Sequence, residues 1–557
     1  MIALPTESLP CHLLRMPYEI LKPILAQLMQ RVQISVSKTC VTLWELAYPL
    51  AYNRITVTIG PNLAESRWKH LASGLGLRHA QHLELNSLFD GKSKAGRTED
   101  LIAGTLIAAV WRNQLHSFSM SMSVQMARTI STRTIVILLE TQRALRRLYL
   151  PSIDDLPVVR FDEHLGANPK FSSLKIATVS MTVIYSCEDA LRCLLASSSD
   201  SLELHLRILM SHIDDGTSRI PSILLPQHPF RAHIISITTK LTFHKFHFSY
   251  GQSPLCTGSF PALTALSIDS CINCHSLFHG SNANNFPALN ALMIAGPHLI
   301  MSGGVASFIR DLSTLRELVL DSEGVLFSNI APIAKHAGTL ELLYIRRRHS
   351  DIELSAFSGL GQSIVASLFG SLTALRHLGV SVGLAGLICD ENGQFWECSN
   401  TPWSNLTTLS TYDYLQTLYL RYHFHLFPRR STRRLYSEDF QKLQDSNIFE
   451  MELASSVITW LNDELPSWLI DRPLRYITIT NSCTVNSSKI DASVGPLASI
   501  TPQSGKQIVS FKPSIERRVV SLTKEEMMHM YEGDGYYFFE AYLNGMMEPS
   551  ICTLVDW

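Results

Sequence analysis

A six-residue frame, with apolar residues at its first, fourth and sixth positions, recurs along most of the chain. The later two apolar residues alternate with polar ones, which is typical of a half-buried strand. The best-kept copies are LRRLYL from Leu145, LTALSI from Leu263, LNALMI from Leu289, LRELVL from Leu315, LELLYI from Leu340, LRHLGV from Leu375, LQTLYL from Leu415 and LRYITI from Leu474. Looser copies include Leu83 with Leu85, Leu115 to Met120, and Leu174 to Val179.

The spacing of these frames predicts a repeat. Frames begin at residues 263, 289, 315 and 340, that is 26, 26 and 25 residues apart, within the about 20–29 residues of leucine-rich repeats. Stacked strand-and-return units bury a continuous core. The wider gaps beyond Leu340 indicate insertions, and we expect the stack to be broken near Ile388–Trp403 and Phe424–Phe449. The LxxLxL frame also arises by chance in α/β proteins, but not eight times in one direction.

Helical periodicity fills several gaps between the frames. We expect helices over Asp100–Arg112, Glu188–Leu195, Gly303–Leu312 and Ser363–Phe369, because apolar residues recur there every three to four positions. A doubly wound enzyme sheet would alternate in the same way, but the glycine-rich turns that follow its strands are missing. The fold class predicted is therefore α/β: a small N-terminal helical unit followed by an irregular leucine-rich-repeat solenoid with a parallel strand face.

The N-terminal stretch from Leu14 to Ile55 carries two helical stripes separated by the polar pair Gln30-Arg31, with Pro17 suited to the first helical position. Some forty residues are too few to bury both stripes on themselves. Part of the apolar surface must then pack on the rest of the chain or in a partner's groove. The residues expected to contact a partner are Pro17, Ile20, Ile24, Leu25, Leu28, Ile34, Val36 and Leu43.

The C-terminal part changes composition twice. Residues 484–520 are rich in Ser, Pro and Gly and predict a polar linker or loop. Residues 521–557 contain the aromatic run YYFFEAYL, which is too apolar to remain solvated and is predicted to cap the open end of the repeats. An aromatic platform for a peptide is the alternative. The domains expected are thus 10–55, 56–483, 484–520 and 521–557.

Composition excludes several classes of function. The chain carries 47 Lys and Arg against 48 Asp and Glu, so no basic field favours nucleic acid or a membrane surface as a partner. Its 11 cysteines are irregularly spaced, which favours reduced thiols in the cytoplasm or nucleus. No secretory signal is recognisable at the N-terminus, and the longest apolar run, near Leu101–Val110, is too short to cross a bilayer.

No known catalytic or cofactor motif is present, so no catalytic residue, cofactor or metal is predicted. Cys271, Cys274 and His275 have metal-like spacing but lack a second ligand pair. The pairs His244/His247 and His423/His425 read as ordinary strand positions. The basic clusters Arg346–His349 and Arg429–Arg434 read as solvated loops, or alternatively as a nuclear-localisation patch.

The strand face suggests a binding surface. Residues between the core positions of each frame point away from the core, and they include Tyr and Arg, the types enriched where proteins bind proteins. The candidate substrate face consists of Arg147, Tyr149, Asp269, Glu317, Asp321, Tyr344, Arg346, Tyr419, Arg421 and Tyr476.

The stretch Met16–Ile55 resembles an F-box, in particular the fungal form that precedes divergent leucine-rich repeats. Met16–Leu21, MPYEIL, stands where the family has Leu-Pro-x-Glu-Ile-Leu, and Ile24-Leu25 with Leu28 match the next hydrophobic turns. Ser35–Cys40 and Leu43–Leu50 match the later helix and its exit. Val32 and Gln33 stand where Asp and Leu are usual.

This resemblance implies an adaptor role. F-box helices dock on a Skp-type adaptor, which links them to a cullin scaffold and a ubiquitin-conjugating enzyme, while the repeats hold the protein to be ubiquitinated. The expected function is thus the substrate-recognition subunit of a Skp–cullin–F-box ubiquitin ligase, which is itself not an enzyme. A repeat scaffold acting outside ubiquitination and an unrecognised α/β enzyme are the alternatives.

Overall fold

The computed structural model describes part of the chain, in separate pieces. The described residues are 15–59, 65–87, 96–122, 129–150, 152–154, 176–183, 194–195, 198–208, 231–246, 248, 259–278, 283–300, 303–324, 331–347, 371–383, 387–389, 395–397, 417–425, 476–484, 509–513, 519–522 and 536–538.

Short helices and strands alternate along these pieces. The helices are α1 Tyr18–Ala26, α2 Gln30–Ser37, α3 Val41–Ala51, α4 Glu65–Ser73, α5 Gly96–Ala109, α6 Thr132–Thr141, and the later Arg231–Ile237, His275–Phe278, Gly303–Asp311 and Ala331–Ala334, with 3-10 turns at Leu75–His79 and Ala283–Asn285. The strands are β1 Arg54–Ile59, β2 His82–Ser87, β3 Ser117–Met122, β4 Thr129–Ser131, β5 Arg147–Leu150, β6 Ser152–Asp154, β7 Ile176–Val183, β8 Ser198–Ile208, β9 Thr238–His244, β10 Ala265–Asp269, β11 Ala291–Ile300, β12 Glu317–Gly324, β13 Leu342–Arg347, β14 His377–Gly383, β15 Leu387–Cys389, β16 Phe395–Glu397, β17 Thr417–His425, β18 Tyr476–Thr484, β19 Val509–Pro513 and β20 Val519–Leu522.

The chain divides into two compact units, unit 1 over Met1–Phe246 and unit 2 over His247–Trp557. In unit 1, β1, β2, β3, β5, β7, β8 and β9 pair in chain order, each parallel to the next. In unit 2, β10 to β14, β17 and β18 do the same, and β19 and β20 add an antiparallel edge. The α/β class and the parallel strand face are confirmed.

The apolar residues of the frames line up from strand to strand and form the core. In unit 2 the fourth frame position gives the row Leu266, Leu292, Leu318, Leu343 and Leu378, all buried. In unit 1 the matching row is Ile55, Leu83, Phe118, Leu148, Val179, Leu204 and Leu241, again all buried. The frames around Leu204 and Leu241 were missed because their first positions, at the polar start of β8 and the Thr-rich start of β9, are Ser201 and Thr238 rather than apolar residues.

A backbone hydrogen-bond pattern recurs where each strand begins. One carbonyl oxygen accepts two successive N–H groups from the next strand's first residues: Asn53 O from Gln81 and His82, and Asn290 O from Arg316 and Glu317, at 2.7–2.9 Å. The same arrangement recurs at the carbonyls of Gln81, His116, Arg146, Thr264, Arg316 and Glu341. Identical backbone geometry in both units indicates that one structural unit is repeated despite its uneven length.

Helices cover the leucine side of the strands in unit 1. Ile102, Leu106 and Ile107 of α5 are buried, as are Ile135 and Leu138 of α6, and the two helices pack on each other. The helix predicted over Asp100–Arg112 is confirmed as α5, and that over Gly303–Leu312 is confirmed at Gly303–Asp311. Of the helix predicted over Glu188–Leu195, only residues 194–195 are described, and they are helical, while Ser363–Phe369 lies outside the described residues.

Three sequence predictions need correction. The N-terminal stretch forms three helices rather than two, because the chain turns again at Lys38–Cys40. The wide gaps do not break the stack: β14 pairs directly with β17 and β17 with β18, so the inserted residues leave the pairing intact. Finally, β19 lies inside the predicted linker 484–520 and pairs with β18. No helix in the described ranges has both the length and the apolar character needed to cross a membrane.

Candidate docking surfaces

The three N-terminal helices enclose a very small core. Pro17 precedes α1, and its carbonyl oxygen accepts the N–H groups of Ile20 and Leu21 at 3.0 Å, which starts the helix. The buried residues Leu21, Leu25, Leu43, Leu46 and Ala47 form the core, and Leu28, Val36, Cys40 and Leu50 pack around it. We call Tyr18–Ala51 the helical unit.

A buried glutamine helps to hold the helical unit together. Gln33 is 6% exposed, and its Nε2 donates to the carbonyl oxygen of Leu25 at 2.9 Å. Gln30 Nε2 donates to Ala51 O at 2.8 Å. A buried amide is tolerated when it is hydrogen-bonded, so Gln33 fastens α2 to α1.

Large apolar side chains are concentrated on the outside of this unit. Isolated exposed apolar residues are normal on protein surfaces, but here eight of the twelve in the described residues lie between positions 16 and 44. Ile20 and Ile24, one helical turn apart on α1, are 53% and 40% exposed. The eight are Met16, Tyr18, Ile20, Ile24, Met29, Val32, Val41 and Trp44. Clustering of exposed apolar side chains is typical of interaction sites.

The structure divides the eight predicted adaptor-binding residues into three groups. Pro17, Ile20 and Ile24 are exposed, and Leu28, Ile34 and Val36 are partly buried. Leu25 and Leu43 are 2% and 5% exposed and face the core, so expecting them at the partner surface was wrong. Periodicity found the apolar residues but could not tell the inner from the outer face of a helix. Met29, Val41 and Trp44 are exposed positions that it missed.

A row of rings packs the end of the helical unit against the 3-10 turn Leu75–His79 of unit 1. Trp44 stacks on Tyr48 with ring centroids 5.3 Å apart, and Tyr48 packs edge-on to His79 at 5.8 Å. The ring of Tyr52 lies so close to Gly76 that a Cβ there would come within 2.5 Å of it. The helical unit is therefore seated firmly, which leaves the exposed residues of α1 and α2 in a defined position.

The strand face formed by β1, β2, β3 and β5 in unit 1, opposite the leucine side, is polar and open to solvent, whereas Thr178 and Thr242 further along the same face are buried. Arg54, Thr56 and Arg147 are exposed, and His82 and Tyr149 are partly buried. Arg54 forms an ion pair with Glu84 at 3.3 Å, and Thr56 Oγ1 donates to the same carboxylate at 3.2 Å. Arg147 and Tyr149 were expected on this face, whereas His82, Glu84 and Ser117 were missed because their frames are the looser ones.

Two histidines on this face, His82 and His205, have lowered pKa values. His82 Nδ1 lies 2.7 Å from Ser117 Oγ, and its pKa is lowered by burial and then by His116, Arg54 and Arg147. His205, whose Nδ1 is 2.9 Å from Thr242 Oγ1, has its pKa lowered to about 3 by burial and by Lys240. Neutral imidazoles and hydroxyls between arginines offer hydrogen bonds to the polar surface of a protein.

The corresponding face of unit 2 is buried instead. Asp269, Glu317 and Tyr344 are each at most 1% exposed, so the expectation that they belong to an open substrate face was wrong. The alternation of side chains does place them opposite the leucines, but exposure requires that nothing else covers them. Of the other expected residues, Asp321, Arg346, Tyr419, Arg421 and Tyr476 lie on strands β12, β13, β17 and β18, with side chains outside the described set.

Part of that cover is the chain's own aromatic segment, Tyr536–Phe538. The N–H groups of Tyr537 and Phe538 donate to Oε1 and Oε2 of Glu317, each at 2.8 Å. Tyr536 donates through its hydroxyl to Glu341 Oε2 at 2.8 Å, and Thr264 Oγ1 donates to the hydroxyl oxygen of Tyr537 at 2.9 Å. The segment predicted to cap the end of the repeats thus lies across the face of the strands.

The remaining candidates for chemistry are structural. The thiols of Cys271 and Cys274 are buried, and Cys271 Sγ donates to the carbonyl oxygen of Asp269 at 3.3 Å. Within the described ranges, no three His, Cys, Asp or Glu side chains are placed to hold a metal ion. His244 is buried in β9. His247 and the cluster Arg429–Arg434 lie outside the described residues.

Two surfaces thus stand out: the exposed apolar side of the helical unit and the open polar face of unit 1. No protein-family model matches this chain, and no curated protein matches it either.

Proposed function

We propose that this protein is the substrate-recognition subunit of a Skp–cullin–F-box type ubiquitin ligase. In this proposal the helical unit is an F-box that docks on a Skp-type adaptor. The strands of units 1 and 2 belong to an irregular leucine-rich-repeat solenoid that holds a target protein. The chain itself performs no catalytic step. It acts by raising the effective concentration of a target lysine near the charged conjugating enzyme.

The observation that carries the proposal is the exposed apolar surface of Met16 to Trp44, on a unit that is already fixed to the body of unit 1. A helix presenting Ile20 and Ile24 one turn apart suits the groove of a helical partner. At about 25 cal/mol per Å², covering several such side chains supplies several kcal/mol of binding. Solvent exposure of so many large apolar residues is otherwise unfavourable.

The open face of unit 1 supports the second half of the proposal. Hot spots in protein interfaces are dominated by Tyr and Arg. This face presents Arg54, Arg147 and Tyr149, with His82 among them. The face is a broad polar surface of adjacent strands rather than a closed apolar cavity, so it suits a protein better than a small molecule. We propose that the target binds there.

The test is capture of a purified Skp-type adaptor by the immobilised full chain. Ile20→Asp with Ile24→Asp should reduce capture at least a hundredfold, because two charges would be buried against an apolar groove. Both positions are exposed, so the variant should remain folded. The matched control is Leu101→Asp, at an equally exposed apolar residue of α5, and it should capture the adaptor normally.

Three results would count against the proposal. If the unaltered chain does not hold the adaptor, or if the double variant holds it as well as the control does, the helical unit is not an F-box. Adaptor capture without ubiquitin transfer to any bound protein, in a complex reconstituted with cullin and conjugating enzyme, would favour a scaffold acting outside ubiquitination.

A further inference from the structure

The contact between Glu317 and the aromatic segment has the geometry of peptide recognition. Glu317 is fully buried, and each of its two side-chain oxygens accepts the N–H of one of two consecutive residues, Tyr537 and Phe538. Hydrogen bonds from backbone N–H groups to an acidic side chain are among the stronger ones in proteins. They recognise the main chain and therefore do not depend on which peptide supplies it.

The aromatic side chains have their own partners. The ring of Tyr536 lies under the guanidinium of Arg316 at 4.4 Å and packs edge-on to His377 at 4.8 Å. Arg316 in turn forms an ion pair with Glu341 at 3.1 Å, and Glu341 accepts the hydroxyl of Tyr536. Phe538 is 3% exposed. Cation–π and edge-to-face contacts of this kind select aromatic residues.

The row of residues that begins the strands is shaped for this segment. In register order it reads Ala265, Ala291, Glu317, Leu342 and His377. The two alanines stand between Glu317 and Thr264, which contacts the hydroxyl of Tyr537. Small side chains at these places leave room for an aromatic ring. The matching row of unit 1 begins with Arg54, His82, Ser117 and Arg147, so these four described positions carry no buried carboxylate like that of Glu317.

We propose that this row is a binding site for a peptide with two or three consecutive aromatic residues, and that Tyr536–Phe538 is its built-in occupant. The aromatic segment competes with a target segment of the same chemistry, so the site opens to a target only when the segment is displaced. This inference deepens the proposed function and rests on it, since the peptide would come from a recruited protein. A tether to the same chain keeps the built-in occupant at about millimolar effective concentration.

The test uses a fluorescein-labelled peptide, GDGYYFFEAYL, which is the sequence of Gly533–Leu543, and fluorescence anisotropy with the full chain. The unaltered chain should bind it weakly because its own segment fills the site. Tyr536→Ala with Phe538→Ala should bind it at least tenfold more tightly. A chain ending at Leu522, which lacks the aromatic segment, should also bind the peptide at least tenfold more tightly than the unaltered chain. A peptide with alanine in place of its first two tyrosines and first phenylalanine is the probe control.

Glu317→Gln, added to the double variant, should reduce peptide affinity at least tenfold, because an amide cannot accept two N–H groups through two oxygens. The matched control is Glu84→Gln on the face of unit 1, which should leave the affinity for the peptide unchanged. Failure of the double variant to bind the peptide, or an unchanged affinity with Glu317→Gln, would overturn the proposal. If the double variant and the shortened chain both unfold, the segment belongs to the core and the proposal also fails.

Adaptor capture separates this inference from the proposed function. Both segment variants keep Ile20 and Ile24, so they should hold the Skp-type adaptor as the unaltered chain does. Peptide binding without adaptor capture would support the peptide site and refute the assignment of the helical unit as an F-box. Adaptor capture without peptide binding, in the double variant and in the chain ending at Leu522, would refute the peptide site and support the F-box assignment.

Discussion

The first residues of the strands form one row in each unit, and the two rows have opposite characters. In unit 1 the row begins with Arg54, His82, Ser117 and Arg147, which are exposed or partly buried. In unit 2 it begins with Ala265, Ala291 and Glu317, which are buried, and Tyr536–Phe538 lies across it. The backbone hydrogen bonds at the start of the strands are the same in both.

This difference shows that the repeated backbone does not decide which face is available for binding. The leucine side is set by the frame and is equivalent in the two units. The opposite side depends on what the rest of the chain places over it. The following predictions test that comparison, starting with the change expected to be largest.

Loss of a buried leucine should destabilise the two units equally. Leu83→Ala in unit 1 and Leu318→Ala in unit 2 each remove a side chain that is at most 1% exposed. Each should lower the free energy of unfolding by about 4 kcal/mol, through lost burial and the cavity left behind. Urea unfolding followed by circular dichroism measures both. A loss confined to one unit would show that the two cores are not equivalent.

Acid should destabilise unit 2 through His377. Burial, then Arg376 and Arg316, lower its pKa from 6.5 to about 3. The unfolded chain then binds the proton more readily, so the stabilisation present above pH 6.5 is lost as the pH falls toward 3. At pH 4 the loss should be about 3 kcal/mol. His377→Asn should remove this part of the pH dependence.

Release of the aromatic segment should affect only one histidine. Because Tyr536 packs against His377, Tyr536→Ala should raise the pKa of His377 toward its ordinary value. The pKa of His205 in unit 1, about 3, should stay where it is. Titration of the imidazole signals by NMR follows both. Equal movement of the two pKa values would contradict the assignment of the segment to unit 2 alone.

The two acidic residues on the strand faces should differ in their contribution to stability. Glu317→Ala leaves the part-buried N–H of Tyr537 and the buried N–H of Phe538 without their acceptor, which should cost about 2 kcal/mol. Glu84→Ala removes a partner of the exposed Arg54 and should cost less than about 0.5 kcal/mol. Chemical unfolding compares them. Similar losses would mean that the face of unit 2 is less covered than its buried residues indicate.

The arginines give the smallest contrast. Arg316 lies over the ring of Tyr536 and beside Glu341, so Arg316→Ala should cost about 1 kcal/mol. Arg54 is mostly exposed, and Arg54→Ala should cost less than about 0.5 kcal/mol. Added salt should reduce the effect of Arg54 more than that of Arg316, because exposed ion pairs are screened. Thermal unfolding at two salt concentrations checks this.

Some features were within reach of sequence analysis and others were not. The frames from Leu263, Leu289, Leu315 and Leu340 gave the strands, their parallel order and the buried leucine row, because a period of two residues fixes which side chains share a face. The exposed Ile20 and Ile24 were found from helical spacing. The sequence did not show that Leu25 and Leu43 are buried while Ile20 and Ile24 are exposed. When a helix is apolar on more than one side, helical spacing alone does not tell which side faces the core.

For this protein, the sequence by itself determined the local secondary structure: short helices at the N-terminus and half-buried strands after it. It also determined which leucines of the strands form the buried row. Only the tertiary structure decided which polar face is open. Glu317 and Arg147 occupy equivalent kinds of position in their strands, yet one meets a segment from 220 residues further along the chain and the other meets solvent. Contacts between residues so far apart depend on the return of the chain in space, which no local pattern of apolar and polar residues encodes.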